Sequence, residues 1–108
     1  MRASEIVDLS GPRTALREVD LPEPEASHAL TPGRGVLIDV TAAGVSFPEV
    51  LQTRGEYQLK PPLPFVPGSE VAGTVRSAPA GSGLSPGDRV AAFPMLGGFA
   101  EVAVAPEF

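Results

Sequence analysis

Apolar residues in this chain fall in short, valine-rich runs punctuated by glycine and proline, and few stretches hold a helical period. Residues 35–43 (GVLIDVTAA) form the clearest strand, with Val36, Ile38, Val40 and Ala42 expected on one face and Leu37, Asp39, Thr41 and Ala43 on the other. Residues 69–77 (SEVAGTVRS) predict a second strand, in which Gly73 marks a bulge or a close approach of backbone. Residues 89–93 and 99–105 predict two more. Near the start, residues 1–9 and 15–19 flank a Ser10-Gly11-Pro12 turn and read as a hairpin.

One segment departs from the strand rhythm. Residues 47–54 suit a short helix, with Ser46 placed as an N-cap, Pro48 in the first turn and Gly55 as a stop. Residues 60–64 (KPPLP) can be neither central strand nor helix, and one of their X-Pro bonds is a candidate for the cis form. The expected architecture is mainly β, a partly open barrel with one or two short helices.

Composition narrows the possibilities. At 108 residues the chain is one domain, 1–108. It is too short for a catalytic domain plus a full dinucleotide-binding domain. The 12 Gly and 13 Pro are about twice the usual share, which fits many turns, while 43% hydrophobic residues argue against disorder. The net charge of −5 and scattered basic residues argue against a nucleic-acid partner. The lack of cysteine removes disulfides and thiolate metal sites. Neither a signal peptide nor a membrane-spanning run is visible, so a cytoplasmic location and no membrane partner are expected. The abrupt end after a strand suggests truncation, with a natural terminus as the alternative.

Five segments carry a resemblance. They are residues 43–49 (AGVSFPE), 54–57 (RGEY), 61–73 (PPLPFVPGSEVAG), 86–90 (PGDRV) and 97–101 (GGFAE). In order and spacing they resemble the N-terminal GroES-like domain of the medium-chain dehydrogenase/reductase superfamily, and within it the quinone oxidoreductase (zeta-crystallin-like) branch. The resemblance implies a GroES-like barrel and hydride transfer from NADPH to a conjugated carbonyl, a quinone or enone. It also implies a downstream Rossmann domain, absent from this chain, that grips the cofactor, and a homodimer when full length. In the zinc-dependent branch the Ser46 position is a zinc-binding cysteine and the Ser69 position a zinc-binding histidine. Both are serine here, so no metal is expected. Two positions depart from the quinone-reductase pattern as well: Ser46 stands where asparagine is common, and Glu49 where aspartate is common.

The resemblance makes Ser46 and Tyr57 the catalytic candidates facing an interdomain cleft. Ser46 can hydrogen-bond a nicotinamide ribose or substrate oxygen, or simply cap the helix. Tyr57, the sole tyrosine, can donate to a developing enolate oxygen or pack on the proline segment. Phe47, Glu49, Arg54 and Phe65 are candidates for substrate binding, against core packing for the phenylalanines and helix-end electrostatics for Glu49 and Arg54. Gly97 and Gly98 allow close cofactor approach or a tight turn. Glu70 reads as a structural hydrogen-bonder, Asp88 as closing its own turn, and His28 as exposed and inert. The rival to the enzyme reading is a free-standing GroES-like binding or assembly module, since fold alone does not decide function.

Overall fold

The computed structural model describes residues 1–107. Six strands and one helix follow in chain order: β1 (Arg2–Ile6), β2 (Leu16–Asp20), β3 (Val36–Ala43), α1 (Phe47–Thr53), β4 (Val71–Ser77), β5 (Arg89–Ala92) and β6 (Val102–Ala105). β1 and β2 form the expected antiparallel hairpin. The other four strands make an antiparallel sheet in the order β5-β4-β3-β6. The predicted mainly-β, partly open barrel is the observed architecture, with a single short helix among the described residues.

The hairpin is fastened through its backbone to the segments that precede β4 and β6. The Ser4 amide donates to the Phe99 carbonyl at 2.8 Å, and the Ile6 amide to the Phe65 carbonyl at 2.8 Å. Ile6 is fully buried at this junction. The core proper is Val36, Ile38, Val71, Val75 and Ala105, with Val40, Ala43, Val90 and Ala92 packed around it. Fully burying a valine or isoleucine contributes about 1.5–3 kcal/mol. β5 and β6 are the two edges of the sheet and do not pair with each other. Between them opens an apolar cavity of about 510 Å³, lined by Val36, Ile38, Val90, Phe93, Met95 and Ala105 among others.

Two features of β3 and β4 stand out against simple alternation. The β3–β4 register shifts between Val40 and Ala42, leaving Thr41 as an extra residue. This bulge turns the end of the strand over, so Ala43 and not Ala42 meets the core, and Ala42 is exposed. Gly73 marks a close approach, as expected: a Cβ there would collide with the Asp39 carbonyl oxygen.

His28 is the clearest correction. It is 8% exposed, not the solvated residue expected from its polar neighbours. Its Nε2 lies 2.7 Å from the Pro94 carbonyl oxygen, and its Nδ1 accepts the Leu30 amide at 3.1 Å. The ring thus ties the polar strap of residues 22–34 to the turn after β5. Its partner on that turn is 66 residues away, a distance at which local composition carries no information.

Candidate functional site

The site is built around the entry of α1. Ser46 takes the extended N-cap conformation, with φ −135° and ψ −179°, and a proline occupies the first turn. The hydroxyl does not cap a backbone amide. It donates instead to Oε2 of Glu49 at 2.8 Å. The Ser-x-x-Glu spacing is that of a capping box, but the two side chains bond to one another. Glu49 is 3% exposed. Its other oxygen, Oε1, accepts from the Ser69 amide at 3.3 Å and the Ser69 hydroxyl at 3.4 Å. A buried carboxylate therefore joins the two positions at which the zinc-dependent branch carries cysteine and histidine. Burial of such a group is tolerable because both of its oxygens are hydrogen-bonded.

This donor set does not fit a zinc ion. It offers one carboxylate and two hydroxyls, where zinc takes thiolate, imidazole and carboxylate. The same three side chains satisfy one another, so the carboxylate needs no cation to be buried.

Tyr57 belongs to a different cluster. α1 ends at Thr53, and Gly55 turns the chain with φ 69°, a left-handed conformation that glycine adopts without strain. The half-buried Tyr57 then lines a cavity of about 280 Å³ with Phe65, Leu63, Leu59, Lys60 and Gln52. Ser46 and Tyr57 thus flank a seven-residue helix, itself about 10 Å long. Ser46 does not line the cavity that Tyr57 lines. Phe65 joins Tyr57, while Glu49 joins Ser46.

The other candidates are placed as follows. Phe47 is 70% exposed beside Val45 at 76%, so the N-terminal end of α1 presents an apolar surface. Arg54 is exposed at the far end of the helix and lines a second cavity there. Gly97 and Gly98 form a turn with their amides spent internally, on the Val66 and Gly68 carbonyls at 2.8 and 3.0 Å. A Cβ on Gly98 would lie 2.8 Å from the Gly68 carbonyl oxygen, so the close approach this glycine allows is to the chain's own backbone, while a Cβ on Gly97 would meet nothing within 4 Å. Glu70 lies against Gly44, whose missing Cβ leaves room for its carboxylate. In the sequence, Ser69 stands out only as an altered metal position. Its role as a partner of Glu49 follows from the Ser46-x-x-Glu49 spacing only with the fold in hand.

Comparison with known proteins agrees with this architecture. The model of the alcohol dehydrogenase GroES-like domain matches residues 32–107. The quinone oxidoreductase of Rattus norvegicus is 39% identical over 99% of this chain and 32% of its own length. A probable oxidoreductase from Mycobacterium abscessus superposes with a TM-score of 0.83 at 49% identity, over 99% of this chain and 32% of that one. The quinone oxidoreductase from Thermus thermophilus, whose structures include a complex with NADPH, gives 0.76 at 36% identity, over 99% of this chain and 30% of that one. The chain spans about a third of the length of the curated relatives it matches.

Proposed function

The chain belongs to the alcohol dehydrogenase GroES-like domain family, on its quinone oxidoreductase side, and on that premise we propose that it is the substrate-binding domain of an NADPH-dependent, zinc-independent quinone or enone reductase. The observation that carries this reading is the Ser46–Glu49–Ser69 cluster, which replaces a metal-ligand set with hydrogen bonds at the entry of α1. A conjugated carbonyl needs no Lewis acid if it is held and its oxygen is met by a proton donor.

Bound NADPH would supply the hydride, and a downstream Rossmann domain would hold most of the cofactor. Ser46 gives its hydrogen to Glu49, so it turns oxygen lone pairs outward and can accept from a ribose hydroxyl. The Tyr57 phenol would donate to the substrate oxygen as charge builds on it. Phe65 and Leu63 would hold the apolar body of the substrate, and Arg54 would stand at the outer end. Gly97 and Gly98 would shape the wall behind the nicotinamide without donating to it. Val45 and Phe47 would be covered by the second domain. We place the protein in the cytoplasm as a homodimer of full-length chains. Among the described residues no helix is long and apolar enough to cross a membrane.

The test is oxidation of NADPH by naphthoquinone, measured on the full-length protein that contains this domain. Turnover without added metal, unchanged by a chelator and reduced in Ser46→Ala through kcat/KM, is the expected result. A full-length protein that binds neither NADPH nor quinone would favour the rival, a GroES-like module without catalysis.

A further inference from the structure

The chain carries five more acidic than basic residues, 13 Asp and Glu against 8 Lys and Arg, yet three of its cations gather at one end of α1. Arg13 and Arg54 line a cavity of about 290 Å³ with Ser10, Gly11 and Pro12. Lys60 lines the Tyr57 cavity of about 280 Å³. Leu9 lines both cavities, which makes them neighbours. No carboxylate borders either one among the described residues. The salt bridges among those residues engage Met1, Arg34 and Arg76, leaving Arg13, Arg54 and Lys60 without an acidic partner. Asp8, whose Oδ1 accepts from the Ser10 amide and hydroxyl, and Glu56, which follows Gly55, are the acids on these two segments, and neither lines a cavity.

The end of a helix is an unfavourable place for an anion unless its carbonyls are covered. Here they are. The carbonyl of Thr53 accepts the Gly11 amide at 2.9 Å, that of Gln52 the Gly55 amide at 3.1 Å, and that of Leu51 the Arg54 and Glu56 amides at 3.0 and 2.9 Å. The Gly11–Thr53 bond also fixes the Arg13 loop beside Arg54. Leu9 rests on Gly55, where a Cβ would come within 2.8 Å of its Cδ1. The result is an apolar cavity lined by Tyr57 and Lys60, with a second, polar cavity lined by two arginines on the other side of Leu9.

We infer that these neighbouring cavities together bind an amphipathic organic carboxylate, its apolar body between Tyr57 and Phe65 and its carboxylate reaching past Leu9 to Arg13 and Arg54. Guanidinium groups pair with carboxylates in a directed, bidentate way that neutral polar groups do not reproduce. The inference builds on the reading of Tyr57, Phe65 and Arg54 as the substrate end of the domain, and it makes acidic quinones or enones the preferred substrates.

Calorimetric binding of naphthoate to the full-length protein, without NADPH, tests the site directly. Naphthoate should bind about tenfold or more tightly than its neutral carboxamide, and Arg13→Gln and Arg54→Gln should each weaken it about tenfold, as expected for a charge-assisted pair. Added salt should weaken it further. Arg89→Gln, an exposed arginine on β5 away from both cavities, should leave binding unchanged. Equal binding of acid and amide, or indifference to both arginine variants, overturns the inference. Inorganic phosphate competing as well as naphthoate also overturns it, because the apolar chamber would then contribute nothing. Arginine-dependent naphthoate binding without quinone turnover would keep the site and remove the reductase reading. Turnover without such binding would do the reverse.

Discussion

The Ser46 hydroxyl donates to the buried Glu49 carboxylate at 2.8 Å, which makes a helix-entry serine into an oriented acceptor. A hydroxyl on a free rotor could serve a ligand as donor or acceptor. Once its hydrogen is committed to Glu49, only lone pairs remain for anything that docks at the entry of α1. The second carboxylate oxygen extends the restraint to Ser69 in the segment before β4.

Removing the Glu49 carboxylate should therefore disturb two serines at once. Glu49→Ala leaves the part-buried Ser46 and Ser69 hydroxyls without their acceptor and should cost about 1–3 kcal/mol. Glu49→Gln keeps the volume and one acceptor oxygen and should cost less. Urea denaturation of the three proteins checks the order wild type, Gln, Ala. Equal midpoints for wild type and alanine would mean the carboxylate stabilises nothing.

Gly73 is held by contact, not by backbone conformation. A methyl group there collides with the Asp39 carbonyl oxygen across the β3–β4 pair, at the register Val40↔Gly73. The obstacle is backbone, which cannot rotate away. Gly73→Ala should lower stability by about 1–3 kcal/mol, the range for overpacking. Gly81→Ala meets nothing within 4 Å, although its φ of 82° carries its own strain. The comparison of the two thermal midpoints separates the clash from the conformational cost, and Gly73→Ala should fall further.

The Arg34–Glu107 pair gives a pH dependence with a definite sign. Arg34 donates to both oxygens of Glu107 at 2.6 Å. The hydrogen bond from Arg34 holds the Glu107 carboxyl below its ordinary value. A folded-state value below the unfolded one means that the contribution is present above the ordinary glutamate range. It is lost as pH falls through the lower folded value. NMR titration of the Glu107 carboxyl should give a midpoint below that of free glutamate, returning to the ordinary value in Arg34→Gln. The pair is solvent-exposed, so raised salt should shrink the difference.

How much of this is legible in the sequence varies with the range of the interaction. Strand positions follow from runs such as 35–43 and 69–77, because alternation is a local property of an extended chain. The α1 boundaries follow from Pro48 and Gly55, whose backbone restrictions are built into the residue. Alternation misplaces Ala42 and Ala43, because the Thr41 bulge arises from pairing with β4 and leaves no mark on β3 alone. Ser46 stands at the expected backbone position, but the choice of partner for its hydroxyl lay between a backbone amide and a nearby carboxylate, and burial of Glu49 decided it.

The sequence by itself determined the barrel, the helix that interrupts it and the family to which the chain belongs, since turn residues, apolar alternation and motif spacing act over a few residues at a time. Tertiary structure decided which candidates stand together. It joined Ser46 to Glu49 and Ser69, gathered Tyr57 and Phe65 around a cavity that this cluster does not line, and buried His28 against a carbonyl 66 residues away. Those outcomes depend on the packing of segments distant in the chain, where one buried polar group must find its partner among whatever the fold brings near.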